Sequence, residues 1–301
     1  MGLGTSQHIG EFAALFTACC WTATALAFES ASNKVGSVAV NIIRLGLALI
    51  YLSIFSLITR NLWMPTDASA HAWIWLSLSG LVGFVIGDLF LFKSYTIIGS
   101  RIAMLIMTLV PPVTALISWL MLSETLTFFN FIGMALTVGG IALVIVTRRT
   151  DEKKFSISHS PKGILYAFIG AVGQAVGLVF SKVGMGSYNA FAATQIRIIT
   201  GVIGFAVVIS FWKKWHNVGS AIKNIPAMKR ILIGSVFGPF LGVSFSLYSV
   251  QHTNAGIAST IMAIVPILII PPAIIFMKQK VTLKEIIGAI ISVVGVAMFF
   301  I

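Results

Sequence analysis

The sequence predicts an all-α membrane protein, built as ten transmembrane helices in two inverted five-helix repeats. Three observations predict it: the apolar residues come in span-length blocks, the basic residues collect on one side of those blocks, and the second half repeats the first. Of 301 residues, 58% are hydrophobic and only 9% charged, with a mean hydropathy of +1.01. A soluble domain carries about 25% charged residues, and a water-facing surface cannot be assembled from so few.

A helix crosses a bilayer in about 20 residues. Blocks of that length run over residues 10–28, 36–59, 72–95, 101–122, 128–147, 162–181, 191–211, 231–250, 255–277 and 283–301. Hydrocarbon offers no partner to backbone amides, so each block is expected as helix. The alternating strands of a transmembrane barrel are absent. The first block does not read as a cleaved signal peptide: residues 1–9 hold no Lys or Arg, and Glu11 stands where a basic region should lead in. MGLGTS at the start fits an N-myristoylation pattern, a match of little consequence beside ten spans. The second block carries Arg44, the third Asp88 and the seventh Arg197. The polar stretch TRRTDEKKFSISHSPK (147–162) joins two halves, 1–150 and 151–301.

Ten spans place both termini on one side, together with the connections 2–3, 4–5, 6–7 and 8–9. That side holds only Arg60 and Lys182, whereas the opposite side holds sixteen of the twenty basic residues. The basic side is therefore expected in the cytoplasm and both termini outside. A net charge of +12 reads as topology and contact with lipid headgroups, not as a nucleic-acid surface.

The halves align at an offset of 155. Gly83, Gly87, Ile102, Ala103, Ile106, Met107, Val110 and Pro111 fall on Gly238, Gly242, Ile257, Ala258, Ile261, Met262, Val265 and Pro266. Thr127, Gly133 and Gly140 fall on Thr282, Gly288 and Gly295, and an offset of 153 pairs Arg44 with Arg197. Five crossings per half is an odd number, so the second half enters from the opposite face. Secondary transporters recurrently use this plan, with the substrate near the midplane between halves. The motif MTLVPPVTALISW (107–119) recurs as IMAIVPILIIPP (261–272), which places Pro111 and Pro266 at matching depths in the fourth and ninth spans. They are candidate gates; bending for packing is the other reading.

On these residues the sequence resembles the EamA group of the drug/metabolite transporter superfamily over nearly its whole length. The most specific stretch is residues 87–144, where Pro111, Glu124, Gly133, Gly139 and Gly140 occupy the positions that the group marks. The second half departs from the pattern, with Gln279 where Glu124 stands in the first. Glu124 then reads as a helix-start residue favouring the positive end of the fifth helix. The resemblance implies that helices 1, 3, 4, 6, 8 and 9 enclose a substrate path for export or exchange of small metabolites.

Asp88 is the one acid deep in a span and is the candidate for proton coupling, with a structural pairing to Lys93 or Arg101 as the alternative. Arg44 and Arg197 read as structural, Arg44 by snorkelling to the cytoplasmic interface. Trp21, Tyr95, Thr108, Gln174, Tyr248, Ser259 and Met262 are candidate cavity-lining residues on the helices that the resemblance assigns to transport. No nucleotide-binding GxxxxGK[ST] occurs. The five histidines lack metal-ligand spacing, and Cys19 and Cys20 are adjacent without further cysteines. No cofactor, metal or catalytic group is expected. The expectation is a monomeric multi-pass protein of a bacterial inner membrane. Its partners are the lipid bilayer, a small-molecule substrate and, as candidate coupling ion, protons. A non-transporting scaffold or receptor built on the same bundle is the rival class.

Overall fold

The computed structural model describes residues 8–148, 160–268, 271 and 282–300. The chain is helical, with no strand among the described residues. Its first half comprises α1 (Ile9–Val35), α2 (Ser37–Arg60), α3 (Ala70–Gly80), α4 (Asp88–Met107), α5 (Val110–Leu122) and α6 (Phe128–Arg148). The second comprises α7 (Pro161–Met185), α8 (Ala190–Phe211), α9 (Trp215–Lys223), α10 (Ile225–Ser235), α11 (Val243–His252), α12 (Ala255–Met262), α13 (Val265–Leu268) and α14 (Leu283–Ala297). Seven-residue π-helical turns join α3 to α4 (Leu81–Gly87) and α10 to α11 (Val236–Gly242).

Five helical segments are long and apolar enough to cross a membrane: Ser37–Arg60, Ala70–Ser94, Pro161–Met185, Ala190–Phe211 and Ile225–His252. Shorter apolar helices cover Ile9–Thr24, Val110–Leu122, Phe128–Leu143 and Ile286–Phe300. The expected boundary between the third and fourth spans is corrected. No break separates the third from the fourth: helical hydrogen bonding continues through Met107, and the interruption falls at Thr108–Leu109. The ninth expected span is described only to Leu268 and at Pro271, and Gln279 and most of the 147–162 linker lie outside the described residues.

The interruption explains the prolines. Thr108–Leu109 and Ala263–Ile264 are turns 155 residues apart, each directly before the VP dipeptide. Pro111 and Pro266 therefore sit in the first turn of α5 and α13 rather than kinking the middle of a helix. A first-turn residue has no intrahelical acceptor for its N–H, so proline there forfeits nothing.

Packing follows the repeat. α2 pairs with α8, α5 with α12 and α6 with α14, while α3–α4 lies on α7 just as α10–α11 lies on α1. Exchanging the halves maps the α2–α8 and α6–α14 pairs onto themselves and the packing of α3–α4 on α7 onto that of α10–α11 on α1. Both π turns begin and end at positions 155 residues apart, and both carry the glycine pairs 83/87 and 238/242. Pro239 lies inside the second turn, but Phe84 occupies the matching place in the first, so proline alone does not cause the widening. In the first half, a Cβ on Gly177 would lie 2.9 Å from the Gly83 Cα, and one on Gly173 would lie 3.0 Å from the Gly87 Cα. Backbone meets backbone there, which only glycine permits.

The α6–α14 pair has the same logic. A Cβ on Gly295 would lie 2.6 Å from Thr137 Oγ1, and one on Gly140 would overlap Ser292 and the Gly288 carbonyl. Gly140→Val and Gly295→Val are expected to destabilise the protein by similar amounts, about 1–3 kcal/mol each. Midpoint temperatures in detergent check this; a valine that leaves the midpoint unchanged at either site contradicts the packing.

Candidate functional site

Asp88 is the first residue after the π turn and is 7% exposed. Its carboxylate is ion-paired with Arg44 of α2 and accepts from Gln174 Nε2 of α7 at 2.7 Å. The same amide nitrogen donates to the Gly83 carbonyl at 3.3 Å. A π turn loosens the regular i to i−4 ladder, and here one of its carbonyls is served by a side chain of the opposing helix. The Arg44 guanidinium lies 5.5 Å from the Phe28 ring centroid and 5.8 Å from that of Phe92. Asp88 therefore pairs with Arg44 rather than with the alternative Lys93, the side chain of Arg101 lies outside the described residues, and Arg44 turns inward instead of snorkelling.

Arg197 of α8 stands on the other flank. It is 4% exposed, lies over the Phe84 ring at 4.8 Å, and is within electrostatic reach of Asp88. Its Nε has no hydrogen-bond partner among the described residues. One buried carboxylate thus faces two repeat-related arginines, and Gln174, which also contacts it, is the residue 153 positions on from Trp21. One buried and one half-buried cation against one buried anion leave a net positive centre inside an apolar bundle, a costly arrangement.

The other nominated residues divide. Trp21 is half-buried and packs against the turn at Gly242. Tyr248 is half-buried, 4.3 Å from the His252 ring and 6.3 Å from that of Phe245. Thr108 is buried at the turn before α5. Ser259 is buried and bonds the Gly256 carbonyl within its own helix, and Met262 is in the apolar core. The side chains of Tyr95 and Pro266 lie outside the described residues. Asp88 and Gln174, two of the eight nominated contact residues, join in one polar cluster. Sequence reasoning set aside Arg44 and Arg197 as structural, although their equivalence across the repeat was the available signal.

A second polar network closes the end of the bundle where connections 2–3, 4–5, 6–7 and 8–9 meet. Glu124 is ion-paired with Lys182 of α7, and its Oε2 accepts from the Ala255 backbone N–H at 2.8 Å. It therefore caps α12 in the other half; the expected role at its own following helix is corrected. Lys182 also donates to the Thr253 carbonyl at 2.5 Å, and the Thr253 hydroxyl donates to Glu11 at 2.7 Å. Beside it, Arg60 pairs with Asp67, to which the Tyr188 hydroxyl donates at 2.8 Å. Burial pushes the Tyr188 hydroxyl above its ordinary range, so it stays protonated and donates.

The sequence pattern of the EamA-like transporter family matches residues 8–146 and again 161–301. An uncharacterized transporter from Archaeoglobus fulgidus is 19% identical over 217 residues, covering 72% of this chain and 74% of that one. The uncharacterized transporter YvbV of Bacillus subtilis is 24% identical over 189 residues; the match covers 62% of this chain and 59% of the relative's length. A crystal structure 16% identical in sequence superposes with a TM-score of 0.73, covering 97% of this chain and 96% of the other, which shows the fold.

Proposed function

Because the chain belongs to the EamA-like transporter family, with both halves matched, we propose that it exports small amphipathic metabolites (amino acids or related compounds) by alternating access, with protons as coupling ion. Independently of this, the protein is a multi-pass membrane transporter of the drug/metabolite type and not an enzyme. The proposed working units are the repeats 1–150 and 151–301, inverted relative to one another, in a monomer of a bacterial inner membrane. A Bacillus relative is consistent with that membrane.

The observation that carries the mechanism is Asp88 between Arg44 and Arg197. Protonation and ion pairing compete for one carboxylate, so a proton reaching Asp88 releases Arg44 while the remaining carbonyl oxygen still accepts from Gln174. The two arginines are equivalent under exchange of the halves, while the partner position of Asp88 is Val243. A single acid between equivalent cations has one arrangement for each access state. Trp21, Tyr95, Thr108, Tyr248, Ser259 and Met262 remain proposed path residues that would meet substrate as the bundle opens. The test is uptake of a metabolite panel into proteoliposomes with and without an imposed pH gradient. Accumulation above empty liposomes that follows the gradient is expected; no panel member moving overturns the reading.

The orientation is proposed from charge, with the basic end in the cytoplasm. Thr66 and Ser220 are exposed at opposite ends of the bundle. With Cys19 and Cys20 replaced by alanine, Thr66→Cys is expected to react with an impermeant thiol reagent on intact cells, and Ser220→Cys only after lysis. The reverse pattern inverts the topology.

Pro111 and Pro266 are proposed as gate hinges, since each begins a helix directly after a turn. Alanine at either site preserves a helix start, so Pro111→Ala and Pro266→Ala are expected to fold and to slow transport. Parental transport rates in both variants would reduce the prolines to packing.

A further inference from the structure

Outside the polar cluster, the bundle has a cavity of about 470 Å³ at its basic end, between the start of α2, the first two turns of α4 and the end of α8. Ser37, Asn41, Phe92, Lys93, Trp212 and Lys214 line it, with two further aliphatic residues and, among the described residues, no carboxylate. A smaller cavity of about 160 Å³ shares Ser37 and Lys214 with it and reaches Gly36 and Asn217. Both lie beside α2 and α8, the second and seventh spans, and the larger one also meets the third span at Leu89, Phe92 and Lys93.

Three features of this cavity call for an anion. The 24-residue α2 begins at it, and its N-cap, Gly36, supplies no side-chain acceptor to the first-turn N–H groups. Those amides and the positive end of the helix face an anion favourably. Asn41, one turn further in, is only 2% exposed, yet its Oδ1 has no hydrogen-bond partner among the described residues. A buried amide normally finds a partner, and an anion in the cavity would be met by the NH₂ donors of Asn41, not by Oδ1. Lys93 and Lys214 add two cations, held over the rings of Tyr166 at 5.2 Å and Trp212 at 5.1 Å.

The lipid-facing surface beside the cavity continues the argument. Ile203, Val207 and Phe211 of α8 are 59%, 63% and 84% exposed at i, i+4 and i+8, forming an apolar stripe that ends at Trp212. Tryptophan and lysine at the end of an apolar helix mark the level of lipid headgroups. Basic pockets between helices on the cytoplasmic side suit anionic headgroups. We propose that this cavity binds the phosphate of an anionic phospholipid, with Lys93, Lys214, Asn41 and the start of α2 around the phosphate and the acyl chains along the α8 stripe. No described lining residue offers a carboxylate to a choline ammonium, so the site favours phosphatidylglycerol over phosphatidylcholine.

The test is native mass spectrometry of the full-length, delipidated protein in detergent with added phosphatidylglycerol or phosphatidylcholine. Preferential retention of one phosphatidylglycerol is expected. Lys93→Gln with Lys214→Gln, both on exposed residues, is expected to weaken it about thirtyfold, each lysine near the headgroup accounting for roughly fivefold. Asn41→Leu should also weaken it, whereas Lys223→Gln with Lys229→Gln, which removes equal charge from the same end, should not. Equal losses in the two double variants, or unchanged retention in the first, would overturn the site. Competition by inorganic phosphate or glycerol phosphate at matched concentration would overturn the lipid assignment in favour of a soluble anion.

Discussion

Asp88→Asn is expected to abolish gradient-driven accumulation while substrate exchange persists. The substitution keeps the shape of the side chain and its bond to Gln174 but removes the group for which a proton and Arg44 compete. It also leaves Arg44 and Arg197 without their carboxylate, and breaking a buried pair from one side costs roughly 3–5 kcal/mol. A second variant separates the two effects. Asp88→Asn combined with Arg44→Gln removes a whole pair, so it is expected to recover most of the lost stability without recovering accumulation. Thermal midpoints in detergent and uptake into proteoliposomes across a pH gradient measure both quantities. Accumulation by Asp88→Asn with unchanged pH dependence would exclude proton coupling through this residue, and recovery of accumulation in the double variant would make the pair purely structural.

Lys182→Met is expected to open the opposite end of the bundle. Lys182 and Glu124 retain 19% and 12% side-chain exposure, so their pairing is largely shielded from solvent. Through Thr253 and the start of α12 it joins α1, α7, α11 and α12. Truncating a hydrogen-bonded partner of a charged group costs about 1.5–3 kcal/mol, enough to shift a two-state equilibrium by roughly tenfold to a hundredfold. Ala258 is fully buried on α12 beyond this network. In a background without Cys19 and Cys20, Ala258→Cys should react about tenfold faster with an impermeant reagent once Lys182 is methionine. Glu124→Gln should act in the same direction but more weakly, because the amide oxygen can still accept from Ala255. An unchanged labelling rate in both variants would mean that the network holds the connections together without gating them.

Both experiments address groups whose types were legible and whose partners were not. By itself the sequence determined that the chain is a bundle of apolar helices, because so few charges cannot clothe a soluble surface and span-length blocks have only helix available to satisfy their amides. It determined the internal repeat, since glycines, prolines and arginines recur at nearly constant offset, and it singled out Asp88, because an acid in hydrocarbon is too costly to be incidental. Tertiary structure decided what these residues do. Arg44 and Arg197 converge on Asp88 only because α3–α4 packs on α7 through facing glycines, which brings α2, α7 and α8 to one point. Glu124 caps α12 rather than α6 because the chain reverses next to the other half. The prolines begin helices because the breaks fall two residues before them. Partners distant in sequence are chosen by which helices touch, and apolar periodicity, nearly uniform around buried helices of this kind, carries little information about that choice.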